Sequence, residues 1–174
     1  RQRQMCIETD TNLLLAFLRD HNTARSVLDV FNDLYAMFGR ETYCRLFPVI
    51  LTDRGSEFSN PVPIEQDEND ELRSLVFYCN PSAPYQKGGI EVAHELVRRV
   101  LPKGKSFDDL QQEDIDLMLS HINSYKRGKL NSRSAYQLFN FIYGDDILPK
   151  LNIREIEAND ICLLYTSDAA DEAR

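Results

Sequence analysis

Arg3 to Ile7 and Asn12 to Leu18, on either side of Thr9-Asp10-Thr11, have the pattern of two strands joined by a turn. The second holds a continuous apolar run, Leu13-Leu14-Leu15-Ala16-Phe17-Leu18, which predicts a strand in the middle of a sheet covered on both faces. After His21-Asn22-Thr23, a candidate cap, Val27, Leu28, Phe31, Leu34, Tyr35 and Phe38 recur at helical spacing up to Gly39, a helix stop. Pro48 to Thr52 predicts a short buried strand that runs into Asp53-Arg54-Gly55, where the glycine permits a sharp turn.

Residues 59–73 are polar and rich in acids and predict an exposed excursion; Leu75 to Cys79 then predicts a strand that ends at Asn80-Pro81. Ser82 to Gly89 is dense in helix and strand breakers and predicts a loop. Ile90, Ala93, Leu96, Val97, Val100 and Leu101 form the apolar face of a helix ended by Pro102. Ile115 to Tyr125 and Ser134 to Tyr143 are two further helices. Strands, helix, strand, strand and helices in this order predict an α/β layer fold with a mixed sheet.

A chain of 174 residues, 43% hydrophobic, is long enough for one domain with a real core, and no apolar run approaches the ~20 residues of a membrane helix. With no secretory pattern at Arg1 to Glu8, the chain reads as cytosolic. Cys6, Cys44, Cys79 and Cys162 are widely spaced, which favours free thiols over disulfides or a zinc site. The formal charge of −8 argues against holding nucleic acid by bulk electrostatics. Positive charge is nevertheless concentrated locally, at Lys87, Arg98, Arg99, Lys103 and Lys105, and again at Lys126, Arg127, Lys129 and Arg133 with no acid among them.

Asp53 stands where a strand becomes a turn, the edge at which open α/β sheets expose functional groups. The plainer alternative is an aspartate bonding its own turn backbone. Glu91 opens a helix, where a carboxylate is also favoured simply by the positive helix end. Glu91, His94, Glu95 and Arg98 fall on one polar stripe. An acid leading that stripe, with a cation two turns on, can hold a metal against a phosphate and grip the same strand beyond it. The competing account is a set of surface ion pairs, Glu95 with Arg98 or Arg99, each worth ~0.2–0.5 kcal/mol.

Leu51-Thr52-Asp53-Arg54-Gly55-Ser56-Glu57-Phe58, Phe77 to Pro81, Gln86-Lys87-Gly88-Gly89-Ile90-Glu91, Arg98 to Gly104 and Ile122-Asn123-Ser124-Tyr125 together resemble the catalytic core of the insertion-sequence-30 family of bacterial transposases. These belong to the wider DDE transposase and retroviral integrase group, and the similarity covers nearly all of residues 5–161. The resemblance implies a ribonuclease-H-like fold, a mixed sheet flanked by helices. It further implies DNA cleavage and strand transfer at insertion-element ends, with element and target DNA as partners, in a homo-oligomer of the bacterial cytoplasm without membrane association.

In that family three carboxylates hold two Mg²⁺ (or Mn²⁺) ions; Asp53 matches the second carboxylate and Glu91 the third. Lys87, Arg98, Arg99 and Lys103 become candidate DNA contacts, with Gly55, Glu57 and His94 in support. The family carries its first carboxylate on a strand upstream of the segment matching Met5 to Leu18, so the resemblance implies that this first strand is missing and the chain as given is inactive. Asp10, the nearest substitute, falls in a turn and not at the family position. A non-transposing nuclease of the same fold, or an inactive fragment that keeps the fold, are the alternatives. Residues 162–174 continue no pattern and, through Glu172, resemble a translated sequencing adapter, so residues 1–161 carry the catalytic core.

Overall fold

In a computed structural model the chain is described over residues 2–8, 10–80, 88–101 and 109–162, with residues 2–7 and 88–91 described by their backbone alone. It divides into two units: Arg1–Gln4 with Phe17–Lys87, and Met5–Ala16 with Gly88–Arg174. The element order is β1 (Gln2–Glu8), β2 (Leu13–Arg19), α1 (Ala24–Leu46), β3 (Val49–Thr52), α2 (Val62–Glu65), β4 (Leu75–Tyr78), α3 (Gly88–Val100), α4 (Gln112–Ser124), β5 (Lys126–Arg127), β6 (Arg133–Ser134), α5 (Ala135–Tyr143) and α6 (Ile147–Lys150). The described strands form three two-stranded sheets, β1-β2, β3-β4 and β5-β6.

The turn between β1 and β2 is pinned by Glu8, whose carboxylate accepts from the Asp10 and Thr11 amides at 2.8 and 2.9 Å and from the Thr11 hydroxyl. Asn12, at φ 57°, completes it in a left-handed conformation that Asn tolerates. Leu13, Leu14, Leu15 and Ala16 are buried. Burial on both faces is therefore as the apolar run predicts, but the position in the sheet is not: among the described strands β2 pairs only with β1. An apolar run reports what covers a strand's faces and says nothing of how many strands flank its edges.

In the first unit, Thr23 caps α1 by accepting from the Ser26 amide at 3.2 Å, and Ser26 returns a bond to the Thr23 amide. Gly39 breaks the helix as predicted, at φ 73° and ψ 164°, but helical backbone resumes beyond it to Leu46 and buries Tyr43 and Leu46. Strands β3 and β4 run parallel in the register Val49↔Leu75 to Thr52↔Tyr78. The prediction that Pro48 to Thr52 is a buried strand is corrected: Val49, Leu51, Leu75 and Phe77 are between 41% and 55% exposed. Period-2 geometry places these four on one face of the pair, and a run too short to show alternation hides that difference.

The acidic stretch after Ser59 is also more embedded than an exposed excursion. Ile64 and Arg73 are buried. The Arg73 guanidinium donates from Nε to the Ile64 carbonyl at 3.0 Å and from Nη2 to Asn32 Oδ1 and the Pro63 carbonyl at 2.8 and 2.9 Å, and stacks over Tyr35 and Tyr43. Asp67 accepts from the Asn69 and Glu71 amides, from the Tyr35 hydroxyl and from Arg40. One buried cation and one buried carboxylate thereby fasten a segment whose composition is that of a free loop.

In the second unit, α4 buries Ile115, Met118, Leu119 and Ile122, and α3 buries Ala93, Leu96 and Val97. Helix α5 starts at Ser134, which accepts from the Gln137 amide at 3.1 Å. The outer edge of β2 is met by side chains: Asn123 bonds Leu14, Gln112 donates to the Ala16 carbonyl at 3.0 Å, and Arg127 donates to the Asn12 carbonyl at 3.3 Å. Residues 14 and 16 share one edge of β2, so Asn123 and Gln112 serve where another strand's backbone would, while Arg127 holds the turn residue Asn12 just before the strand.

Candidate active site

Asp53 is the residue after β3, exposed, and follows Thr52, which is buried. The parallel ladder continues one step past the strands, with the Cys79 amide donating to the Thr52 carbonyl at 2.8 Å. Asp53 thus lies at the carboxyl end of a parallel pair, where α/β folds present ligand-binding groups. Below it, the Phe58 amide closes onto the Gly55 carbonyl at 3.0 Å, and the Tyr78 hydroxyl donates to the Phe58 carbonyl at 2.5 Å. Buried Phe58 and the end of β4 therefore hold the segment that follows Asp53.

Gly55 does not serve as a turn glycine. Its φ of −61° and ψ of 152° are open to any residue. Its missing side chain matters for another reason: a Cβ there would come within 2.5 Å of Glu57 Oε2, because the Glu57 carboxylate folds back over the bare Cα. The obstacle is the end of a flexible side chain, so an alanine would displace Glu57 rather than the backbone.

Glu91 lies in the first turn of α3, and its side chain falls outside the described atoms; Lys87, Lys103 and residues 163–174 fall outside the described residues altogether. On α3, Glu95 and Arg98 are exposed while His94 and Arg99 are half-buried. Ala93, Leu96 and Val97 turn inward, so Arg98 stands on the outer side and Arg99 nearer the packed one. No ion pair links Glu95 to Arg98 or Arg99 among the described residues, which removes the surface-salt-bridge account of that stripe. Asp53 belongs to the first unit and Glu91 to the second. Among the described residues no three His, Cys, Asp or Glu side chains gather as a metal cluster.

The charge cluster at 126–133, which local sequence presents only as a run of cations, is folded into the β5-β6 hairpin. Asn123 and Ser124, part of the family-like motif, turn out to be buried and structural: the Ser124 hydroxyl accepts from the Ile156 amide at 2.9 Å. No local signal distinguishes such a role from a catalytic one.

No protein-family model matches the chain. It is 29% identical over 133 residues to ORF3 of Spiroplasma virus SpV1-R8A2 B, named as an integrase, a match covering 76% of this chain and 39% of that protein. It is 27% identical over 63 residues to the transposase InsI for insertion sequence element IS30A of Escherichia coli K12, covering 36% of this chain and 16% of that protein. The chain thus matches well under half the length of these relatives. Among solved structures, it is similar to the catalytic core domain of BIV integrase, with a TM-score of 0.53 and 19% identity over 80% of this chain and 86% of that one. The chain is thus similar in sequence to a viral integrase and to an insertion-sequence-30 transposase, and its α/β fold is the ribonuclease-H-like fold of a retroviral integrase catalytic core.

Proposed function

We propose that residues 1–161 form part of the strand-cleaving and strand-joining centre of a DNA transposase, which acts on element ends and target DNA as a homo-oligomer in the bacterial cytoplasm, and that this part, with two of the three family carboxylates, is inactive by itself. The observation that carries this reading is Asp53 at the carboxyl end of β3, in a chain whose relatives are transposases and integrases. Asp53 and Glu91 are its metal ligands. The donor chemistry fits: exposed carboxylate oxygen at a strand end is what Mg²⁺ and Mn²⁺ select, and the set contains no thiolate or paired imidazole that would favour zinc.

In the reaction, water adds across a phosphodiester at the element end, the bond from phosphorus to the 3′ oxygen breaks, and that oxygen leaves as a 3′-hydroxyl. The hydroxyl then attacks a target phosphodiester, forming one P–O bond and releasing a target 3′-hydroxyl. Held by Asp53 and Glu91, divalent ions would supply activation of the attacking oxygen and stabilisation of the departing one. The chain's own residues position the substrate: Arg98, outward on α3, holds a backbone phosphate, with Lys87 and Lys103 extending the grip. Tyr78 and Phe58 keep the Asp53 segment in place.

The test is Mn²⁺ titration of the chain, followed by water-proton relaxation. Asp53→Asn and Glu91→Gln are each expected to weaken binding tenfold or more. Unchanged binding in both variants would overturn the ligand assignment.

A further inference from the structure

The strongest feature that the reading above leaves unused is the β5-β6 hairpin. Between Lys126 and Arg133 it holds four cations and no acid. Lys126, Lys129 and Arg133 are exposed. None of the four makes an ion pair among the described residues.

The register makes this arrangement costly for the protein by itself. Arg127 and Arg133 are directly opposite across the antiparallel pair, a position in which like charges repel. Arg127 cannot swing away. Its Nη1 and Nη2 are tied to the Asn12 and Ile122 carbonyls at 3.3 and 3.2 Å, and its Nε is buried without a hydrogen bond. Burial disfavours its charge, with only Tyr125 opposing that. The turn between the strands is equally committed: Asn131 and Ser132 both have positive φ, and their amides bond the Gly128 and Arg127 carbonyls at 3.0 and 3.1 Å. Arg127 is thus held in place opposite an exposed Arg133, and no carboxylate pairs with either among the described residues.

We infer that the hairpin Lys126–Ser134 is a second DNA contact, at which Lys126, Lys129 and Arg133 bind backbone phosphates separately from the Arg98 surface of α3. This rests on the DNA reading above, and the ligand class follows from the pattern. Three exposed cations spread along a short antiparallel ribbon suit a repeating row of phosphates better than one small anion. The contacts position DNA and carry no base information.

The experiment is binding of the chain to short duplexes of two unrelated sequences, measured over a range of salt. The comparison is between the wild-type chain, the triple variant Lys126→Ala/Lys129→Ala/Arg133→Ala, and Lys150→Ala on α6 as a control for charge alone. The triple variant keeps Arg127 and removes only exposed side chains. It should weaken binding to both sequences alike and lower the slope of log affinity against log salt by about two to three, at ~0.9 per phosphate contact, with little change from Lys150→Ala. If the wild-type chain binds with the usual salt dependence and the triple variant keeps its slope, the hairpin contact is overturned and the DNA reading stands. A wild-type chain that binds neither duplex at low salt overturns both.

Discussion

The side-chain amide of Asn123 pairs with both backbone groups of Leu14: Oδ1 accepts from the Leu14 amide at 2.9 Å, and Nδ2 donates to the Leu14 carbonyl at 2.8 Å. Both residues are buried, so one side chain at the end of α4 satisfies two backbone groups that water cannot reach.

Asn123→Ala should cost about 2–6 kcal/mol, because it strands a buried donor and a buried acceptor at about 1–3 kcal/mol each. Asn123→Asp is expected to be no better, since it sets an acceptor against the Leu14 carbonyl. Urea denaturation measures both; a loss under 1 kcal/mol for Asn123→Ala would show that the pair contributes little.

Arg73 should be irreplaceable by lysine. Its bonds to Ile64, Pro63 and Asn32 use the guanidinium fork, and its plane stacks on Tyr35 and Tyr43. Arg73→Lys is expected to destabilise by about 2 kcal/mol or more, through lost charged hydrogen bonds and lost stacking. Thermal unfolding of the two proteins gives the comparison.

Asp67 sets an acid limit on stability. Hydrogen bonds from the Asn69 amide first, and then the Tyr35 hydroxyl, hold its carboxyl below the usual aspartate range. A carboxyl depressed in the folded state stabilises above its unfolded value, and that contribution is lost as pH falls through the folded value. The wild-type chain should therefore lose stability below about pH 4 more steeply than Asp67→Asn, which is less stable at neutral pH. Parallel pH profiles for the two would exclude Asp67 as a source of acid sensitivity.

Two glycines with open space around them should respond oppositely to alanine. A Cβ at Gly39 or Gly128 meets nothing within 4 Å, but Gly39 sits at φ +73°. Gly39→Ala should lose about 1–2 kcal/mol to backbone strain, whereas Gly128→Ala should gain about 0.4–1 kcal/mol by restricting the unfolded chain. Melting temperatures that move together would rule out this conformational explanation.

On α3, Arg98→Ala should lower the salt dependence of DNA binding by about one unit, and Arg99→Ala by less, because Arg98 is exposed and Arg99 half-buried. The reverse order would mean that the DNA-facing side of the helix lies nearer Arg99.

Much of this protein follows from short-range pattern. Helical periodicity and caps at Thr23 and Ser134 define α1 and α5, and a strand-to-turn transition puts Asp53 at the end of β3. Such features depend on neighbours three or four residues away, which any window of sequence contains. The ordered motifs also carry the resemblance to transposases and integrases, because their order along the chain is itself sequence information. Tertiary structure alone decided the rest. The partners of β2 and of the turn before it, Asn123, Gln112 and Arg127, lie 96 to 115 positions from the backbone they bond, and no local preference encodes such a distance. Arg73 and Asp67 look like loop charges until Asn32, Tyr35 and Arg40 come to them from α1. The four cations of the β5-β6 hairpin are only a charge run until antiparallel pairing sets Arg127 opposite Arg133. Pattern determines what each segment becomes, and only folding determines which buried polar groups must then find one another.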